Sequence, residues 1–417
     1  MDDLVVSIAL AALGVAALLL LWSEGLLRET KHVVIATVFI CVAIGLRAVC
    51  MSHVTADYWQ FLRVWIDEIR TGGFANALRE GLSYYNYNFL YLFFLGAVSS
   101  SSLYSLYLIK LFSVVFDVLL AWSVMRLTGL YTKSPNRRLA AFLLTLLLPT
   151  VILNGSFWGQ CDVIYAALAV LSLYLALKGR PWLAMVFAAL AFAFKLQAIF
   201  LLPIFALFLF TKRMKIRHLL AFPATYVVTI LPAVLVGRPF FDALTIYSGQ
   251  VDSIGSRLNY NSPSLFSIVT FNGVLKDFNA EITAAAIGIA FFFLFGLLLL
   301  LFFKRKQITD LVILITAALF VIGIPFFLPR MHDRYFFLAD VVSLALALAL
   351  PKYLPVPVFC SVASLLAYIG YLSGHYLILF GQPVYMVWGG ILLILAMVFC
   401  FVALKGHLGR RADGVLE

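Results

Sequence analysis

Long apolar runs separated by short polar segments recur along the whole chain, and they predict helices that cross a membrane. An upright span needs ~20 apolar residues, and several of these runs are shorter. We predict about thirteen spans. They lie at 4–22, 33–50, 103–126, 139–155, 163–178, 182–194, 196–211, 218–236, 281–302, 308–327, 336–351, 354–373 and 384–404.

The segment after the second span has a different pattern. A helix that starts at Tyr58 has an apolar face and a polar face, which is typical of a helix lying in a membrane interface. The apolar face carries Tyr58, Phe61, Leu62, Trp65 and Ile69, and the polar face carries Gln60, Arg63, Asp67 and Arg70.

A second apolar run, 88–97, is interpreted as another interfacial helix. Counting it as a span would move Lys133, Arg137 and Arg138 to the outer side, against the positive-inside rule. We therefore predict one large outer loop, 51–102, with two amphipathic juxtamembrane helices, and a second outer loop, 237–280.

Composition supports this interpretation. The chain has 417 residues, of which 64% are apolar and 12% charged, and its mean hydropathy is +1.05. We predict an all-α polytopic membrane protein with a single domain, 1–417, because no polar stretch is long enough to bury a core of its own. The first apolar run follows Met-Asp-Asp instead of basic residues, so we expect a spanning helix there and not a signal peptide. The five cysteines are scattered and predict neither disulfides nor a metal site.

The net charge of +11 mostly reflects how the helices are oriented in the membrane. Most basic residues fall in alternate loops, which the positive-inside rule places in the cytoplasm. We expect an inner (plasma) membrane protein with its N-terminus outside and its C-terminus cytoplasmic. Nucleic-acid binding is excluded, because no soluble part carries a contiguous basic face.

Polar groups collect at the predicted outer ends of the spans. Desolvating such groups is costly, so a cluster of them on one rim indicates a cavity that handles a polar ligand. The clusters are Asp57 with 84–88, then 154–162, 194–197 and 329–337, with 256–266 in the second outer loop.

These clusters contain the groups that a sugar phosphate needs. Basic side chains bind phosphate, and arginine does so in bidentate fashion; our candidates are Lys195, Arg257, Arg330 and Arg334. Amide, aromatic and carboxylate side chains are typical of sugar sites. The substrate-binding candidates are Trp158, Gln160, Asp162, Gln197, Asn259, Asn261, His332, Asp333 and Tyr335.

Each candidate also has a purely structural interpretation. Asp57 is well placed to cap the helix that follows it, and Asp162 the next span. Lys195 is close enough to a helix end to reach the headgroups. In the third span, Lys110 and Asp117 are expected to pair with each other or with neighbours.

Five motifs together resemble the integral-membrane GT-C glycosyltransferases. Among these, the chain is most similar to bacterial proteins that resemble the second mannosyltransferase of GPI-anchor synthesis. The resemblance covers about residues 50–352. Its motifs are Asp57, Trp158-Gly159-Gln160 with Asp162, Phe194-Lys195-Leu196-Gln197 with Leu201-Leu202-Pro203, Asn261-Ser262-Pro263-Ser264-Leu265 and Arg330-Met331-His332-Asp333-Arg334-Tyr335.

The resemblance implies an inverting enzyme that takes a hexose, with mannose favoured, from a polyprenyl monophosphate. The acceptor would be a lipid-linked or surface glycan on the outer face of the membrane. It also implies that Asp57 is the catalytic base. Many members of this family carry paired acidic residues in the first loop, whereas Asp57 stands alone between Ala56 and Tyr58, so we predict no metal or other cofactor.

Two alternatives remain open. A flippase or another transporter of lipid-linked glycans would also be polytopic and basic, but we expect internal repeats or broken helix pairs in matching halves of such a protein, and see no convincing repeat. The other alternative is a glycan polymerase or ligase that uses a polyprenyl-diphosphate donor.

Overall fold

The computed structural model describes residues 2–85, 87–248, 258–270, 280–375, 378–379 and 382–409. Nearly all of the described residues are helical, and only two pairs of two-residue strands occur among them. The prediction of an all-α polytopic membrane protein is confirmed.

The N-terminal part comprises two long helices, the first outer loop and a third long helix. The elements are α1 (Asp2–Ser23), α2 (Thr30–Cys50), a π-helical turn (Tyr58–Leu62), α3 (Arg63–Gly72), α4 (Phe74–Glu80), α5 (Phe89–Ser99) and α6 (Ser105–Thr128). Helix α1 packs on α2 and on α6, and α3 packs on α5.

The amphipathic helix of this loop differs in one respect from the prediction. Tyr58, Leu62, Trp65 and Ile69 are buried as expected, but Phe61 is 37% exposed. The π-helical turn has more residues per turn than an α-helix, and this rotates Phe61 away from the apolar face.

The second helix of the loop is not amphipathic, so that part of the prediction is wrong. Helix α5 is apolar on all sides and buries most of its residues. It contacts α3, α10 and α12. A short helix that we did not predict, α4, lies between α3 and α5 and contacts both.

The middle of the chain consists mostly of short helices. They are α7 (Pro135–Leu147), α8 (Pro149–Ile152) with a π-helical turn (Leu153–Trp158), α9 (Asp162–Leu177), α10 (Pro181–Phe194), α11 (Phe205–Phe210), α12 (Ala221–Leu235) and α13 (Phe240–Leu244). Short 3-10 turns lie at Leu196–Phe200, Leu202–Ile204 and Ile216–Leu220. The chain bends by 43° between α7 and α8. Pro149 explains this bend, because proline cannot continue the hydrogen bonding of a preceding helix.

The C-terminal part contains the longest helix of the described residues. Its elements are β1 (Asn259–Tyr260), α14 (Leu265–Val269), α15 (Ala280–Phe303), α16 (Asp310–Phe327), β2 (Met331–His332), α17 (Phe337–Ala349), α18 (Pro355–Ser373), β3 (Ile378–Leu379), β4 (Gln382–Pro383) and α19 (Val384–Leu408). Two further 3-10 turns lie at Arg305–Gln307 and Pro351–Tyr353. Strands β1 and β2 pair in parallel, and β3 and β4 pair antiparallel.

Eight helices of the described residues are long and apolar enough to cross a membrane, or nine if the bent segment Pro135–Trp158 is one span. The other four predicted spans coincide with shorter apolar segments, namely α9, α10, 196–210 and α17. The total of about thirteen stays a prediction.

Charges inside the bundle pair with neighbours. Arg47 of α2 donates to the carboxylate of Asp117 of α6 over 2.7 Å, and both side chains are buried. Lys110 of α6 instead donates to the carbonyl oxygens of Cys50, Met51 and His53, over 2.8, 3.1 and 2.6 Å. Lys110 thereby binds the end of α2 just before Asp57, in keeping with the interaction of cations with helix C-termini.

Candidate active site

The ends of five segments meet at one end of the bundle. These segments are the residues after α2, the π-helical turn after α8, the end of α10, the loop between α16 and α17, and the end of α18. Residues from all five clusters predicted for the outer rim come together here. In the predicted topology, each of these ends closes a helix that is expected to run outward.

Asp57 lies at the centre of this region. Its Oδ2 accepts hydrogen bonds from Trp158 Nε1 at 2.8 Å and from Gln160 Nε2 at 2.6 Å. Its Oδ1 accepts one from the Tyr371 hydroxyl at 2.7 Å. Arg334 Nη1 lies 3.8 Å from Oδ2. The carboxylate is 20% exposed, so a ligand can still reach it.

The capping interpretation of Asp57 is wrong. Asp57 has helical backbone angles, and its side chain accepts no hydrogen bond from the start of its own helix. A capping residue has extended backbone angles and bonds the N–H groups two or three positions further on. The side chain bonds instead to residues from distant parts of the chain.

A second carboxylate lies behind the first. Asp162, in the first turn of α9, is almost fully buried and forms an ion pair with Lys195 at the end of α10. Asn154 Nδ2 donates to Asp162 Oδ2 over 2.7 Å. The Lys195 ammonium also lies 5.6 Å from the centre of the Tyr87 ring. Lys195 is thus held by the protein and does not extend to the headgroups.

Arg334 lies between the two carboxylates. Its Nε is 3.6 Å from Asp162 Oδ2, and its guanidinium carbon is 5.5 Å from the centre of the Trp158 ring. Neither carboxylate is within normal hydrogen-bond distance of the guanidinium. The Nε atom of Arg334 is buried and has no hydrogen-bond partner within the described ranges. The guanidinium therefore keeps donors for an anionic ligand.

The loop that carries Arg334 also supplies His332 and Asp333. Strand pairing sets Tyr260 opposite His332, and the two rings stack with centroids 4.9 Å apart. Burial, together with the charges of Arg334 and Lys195, lowers the pKa of His332 to about 4. His332 is therefore neutral at pH 7 and does not add a cation to the site.

Asp333 is buried, and this burial raises the pKa of its carboxyl group to about 7, against the opposite effect of Arg334. Its Oδ1 has no hydrogen-bond partner in the part of the chain that the structure describes, and the same holds for Oε1 of Gln197. Burial also raises the pKa of Tyr335 to about 12, so its hydroxyl stays protonated.

These groups surround a cavity of about 340 Å³. The volume is in the lower part of the range for small-molecule sites. Polar lining residues are Asp57, Gln160, Lys195, Gln197, Asn261, His332, Asp333 and Arg334, and aromatic ones are Phe61, Trp65, Tyr84, Tyr87, Tyr91, Trp158, Tyr260, Tyr335 and Tyr371.

Four predicted residues are not among those that line this cavity. Arg330 has a left-handed backbone conformation, its N–H bonds the Leu258 carbonyl, and it is not among the lining residues. The side chain of Asn259 bonds the backbone of Ser262 in a turn, over 2.9 Å in both directions. Arg257 lies outside the described residues. Asp162 supports the cavity from behind without lining it.

The sequence alone did not predict Tyr371 or most of the other aromatic residues that line the cavity. Tyr371 ends a predicted span on the outer side, where tyrosine is common in membrane proteins. Nothing local separates it from other tyrosines at such positions. The contact with Asp57 distinguishes Tyr371 from these other tyrosines, but this contact forms only when α18 packs beside Trp158.

No metal centre is evident in the described ranges, where no three His, Cys, Asp or Glu side chains are grouped to hold an ion. The absence of a metal requirement stays a prediction.

Comparison with protein families identifies the class of this protein. Residues 85–294, half of the chain, match the model of a glycosyltransferase family. The protein is therefore an enzyme, a membrane glycosyltransferase of the GT-C type. The chain belongs to glycosyltransferase family 87. A search of curated proteins finds no match.

The matched part includes Trp158, Gln160, Lys195 and Gln197. Asp57, Arg334 and Tyr371 lie outside it. The cavity therefore combines residues from the matched part with residues from both flanking parts of the chain.

Proposed function

We propose that this enzyme transfers a hexose, with mannose favoured, from a polyprenyl monophosphate to a lipid-linked or surface glycan on the outer face of the membrane. One observation carries the proposal: the Asp57 carboxylate and the Arg334 guanidinium face the same sugar-sized cavity at one end of the helical bundle. A polyprenyl donor accounts for an active site at the end of a helical bundle, since the prenyl chain is soluble only in the bilayer. The preference for mannose rests on resemblance to the GPI-type mannosyltransferases.

The reaction assigns a different task to each charge. Asp57 takes the proton of the acceptor hydroxyl while the hydroxyl oxygen bonds to the anomeric carbon. The bond from that carbon to the phosphate oxygen breaks on the opposite face, which inverts the configuration, and polyprenyl phosphate leaves. Negative charge increases on the leaving phosphate, and Arg334, backed by Lys195, stabilises it.

The arrangement of cations favours a monophosphate donor over a diphosphate. Among the described lining residues, the cations are Lys195 and Arg334, and Lys195 already pairs with Asp162. One available guanidinium suits one phosphate group. A transporter is disfavoured, because the family is one of transferases. A transporter is also expected to have broken helix pairs in both halves, whereas the described chain contains one such pair.

The first test compares the wild type with Asp57→Asn in proteoliposomes that contain a panel of polyprenyl-phosphate sugars and a lipid acceptor. Asparagine can keep the hydrogen bonds: its oxygen accepts from Trp158 and Gln160, and its amide donates to the Tyr371 oxygen. We expect the variant to fold normally and to lose roughly 100-fold or more of the transfer rate, the scale of general-base catalysis.

A matched control is Asp67→Asn, which neutralises an exposed carboxylate on the neighbouring helix. It should retain the wild-type rate. If Asp57→Asn retains it as well, Asp57 is not the base. A wild type that uses only diphosphate donors would instead support the polymerase or ligase alternative.

A further inference from the structure

Tyr371 contacts the proposed base directly, although it lies in the last turn of α18, more than three hundred residues further along the chain. Its hydroxyl donates to Asp57 Oδ1 over 2.7 Å. The same oxygen accepts the backbone N–H of Asp57 over 3.2 Å. One hydroxyl thus binds both the side chain and the main chain of Asp57.

The orientation of this hydroxyl is itself fixed. The Tyr371 ring stacks on the Trp158 indole, with centroids 4.3 Å apart and an angle of 16° between the planes. Trp158 in turn donates to Asp57 Oδ2. Asp57, Trp158 and Tyr371 therefore form a closed set of contacts between three distant parts of the chain.

The two carboxylate oxygens of Asp57 are held differently. Oδ2 accepts two hydrogen bonds, from Trp158 and Gln160, whereas Tyr371 is the described donor to Oδ1. Loss of the tyrosine hydroxyl would let the carboxylate rotate about its last bond. It would also remove one of the three side-chain hydrogen bonds that described residues donate to this carboxylate.

We propose that Tyr371 is a positioning residue, which holds the Asp57 carboxylate in the orientation needed to take the acceptor proton. This inference rests on the proposed function. Helix α18 lies outside the part of the chain that matches the family, so the match assigns Tyr371 no role.

The test is Tyr371→Phe in the full-length protein, which removes the hydroxyl and keeps the ring stacked on Trp158. We expect kcat to fall by about 10- to 100-fold, as for loss of a hydrogen bond to a charged group, with little change in the KM of the donor.

The matched control is Tyr368→Phe. Tyr368 lies one turn earlier on α18 and packs its ring edge against Trp158, with centroids 5.4 Å apart, but its hydroxyl contacts Asn154 at 3.4 Å. The control should keep the wild-type KM and most of the rate. If Tyr371→Phe behaves like this control, or raises the KM of the donor as much as it lowers kcat, Tyr371 has only a structural role.

A second measurement does not depend on activity. A hydrophobic carbodiimide modifies carboxyl groups, so the rate of Asp57 labelling at a fixed pH, followed by mass spectrometry, reports how firmly the carboxylate is held. Labelling should be faster in Tyr371→Phe, in which one hydrogen bond to the carboxylate is lost, and unchanged in Tyr368→Phe. Equal labelling rates in the wild type and both variants overturn the proposal. Absence of sugar transfer in the wild type would count against the proposed function alone.

Discussion

At the scale of single residues, the environment decides what each ionisable group can do. Asp57 and Asp162 are both carboxylates at the start of a helix, but Asp162 is buried in an ion pair with Lys195, whereas Asp57 is partly exposed to a cavity. Only the exposed carboxylate can meet an acceptor hydroxyl. The sequence contains both residues and does not distinguish their surroundings.

Asp333 leads to a prediction about pH. Because burial raises the pKa of its carboxyl group to about 7, Asp333 is mostly neutral at pH 6 and mostly ionised at pH 8. Its negative charge would oppose binding of a phosphate at the neighbouring Arg334. We expect the KM of the donor to rise by about tenfold between pH 6 and pH 8, and Asp333→Asn, which is always neutral, to remove this rise.

The measurement is the KM of the donor at several pH values, with Asp67→Asn as the control that keeps the wild-type dependence. An equal rise of KM in Asp333→Asn would show that a different group titrates.

At the scale of elements, two π-helical turns flank the site. One follows Asp57 directly, and the other ends at Trp158. Such turns rotate the residues around them relative to an ordinary helix, and they are frequent at functional sites. The rotation exposes Phe61 to the cavity, a change that a regular helical repeat does not predict.

The end of α2 determines the position of Asp57. Three carbonyl oxygens at this end are bound by the buried Lys110 ammonium. We expect Lys110→Met to lower the free energy of unfolding by about 3 kcal/mol, because buried carbonyls lose a charged partner. We also expect it to reduce the transfer rate, since Asp57 lies four positions after His53.

Thermal unfolding in detergent and the transfer assay measure these two effects. Lys133→Met, which removes an exposed lysine, is the control. Equal melting temperatures for the two variants would contradict a role for Lys110 at the end of α2.

At the scale of the whole molecule, the alternating direction of the helices explains why distant residues meet. Five residues of the site lie at or just after the end of an expected outward-running helix. They are Asp57, Trp158, Lys195, Arg334 and Tyr371. Antiparallel packing of successive helices brings these ends to one rim, whatever their separation along the chain.

This arrangement predicts which loops face outward. In a variant without its five cysteines, we introduce either Thr71→Cys in the loop 51–102 or Lys133→Cys between α6 and α7. Both native side chains are exposed. A membrane-impermeant maleimide added to intact cells should label the first variant alone, and permeabilised cells should show labelling of both. The reverse pattern would place the active site on the inner face.

The sequence by itself determined the class of fold, and it singled out Asp57 and the polar clusters that meet around it. Long apolar runs can satisfy their backbone groups in a bilayer only as helices, and this rule is local. The amphipathic pattern of the first outer loop also predicted which of its apolar residues are buried, except for Phe61.

Only the tertiary structure decided which polar residues share the cavity. It brought Tyr371 to Asp57, directed Asn259 into its own turn, and placed Arg330 away from the lining. Helix packing across hundreds of residues sets these contacts, and the local pattern of polar and apolar residues does not encode which helices become neighbours. The physical reason is that hydropathy specifies how deeply a residue lies in the membrane, whereas side-chain packing specifies what it faces.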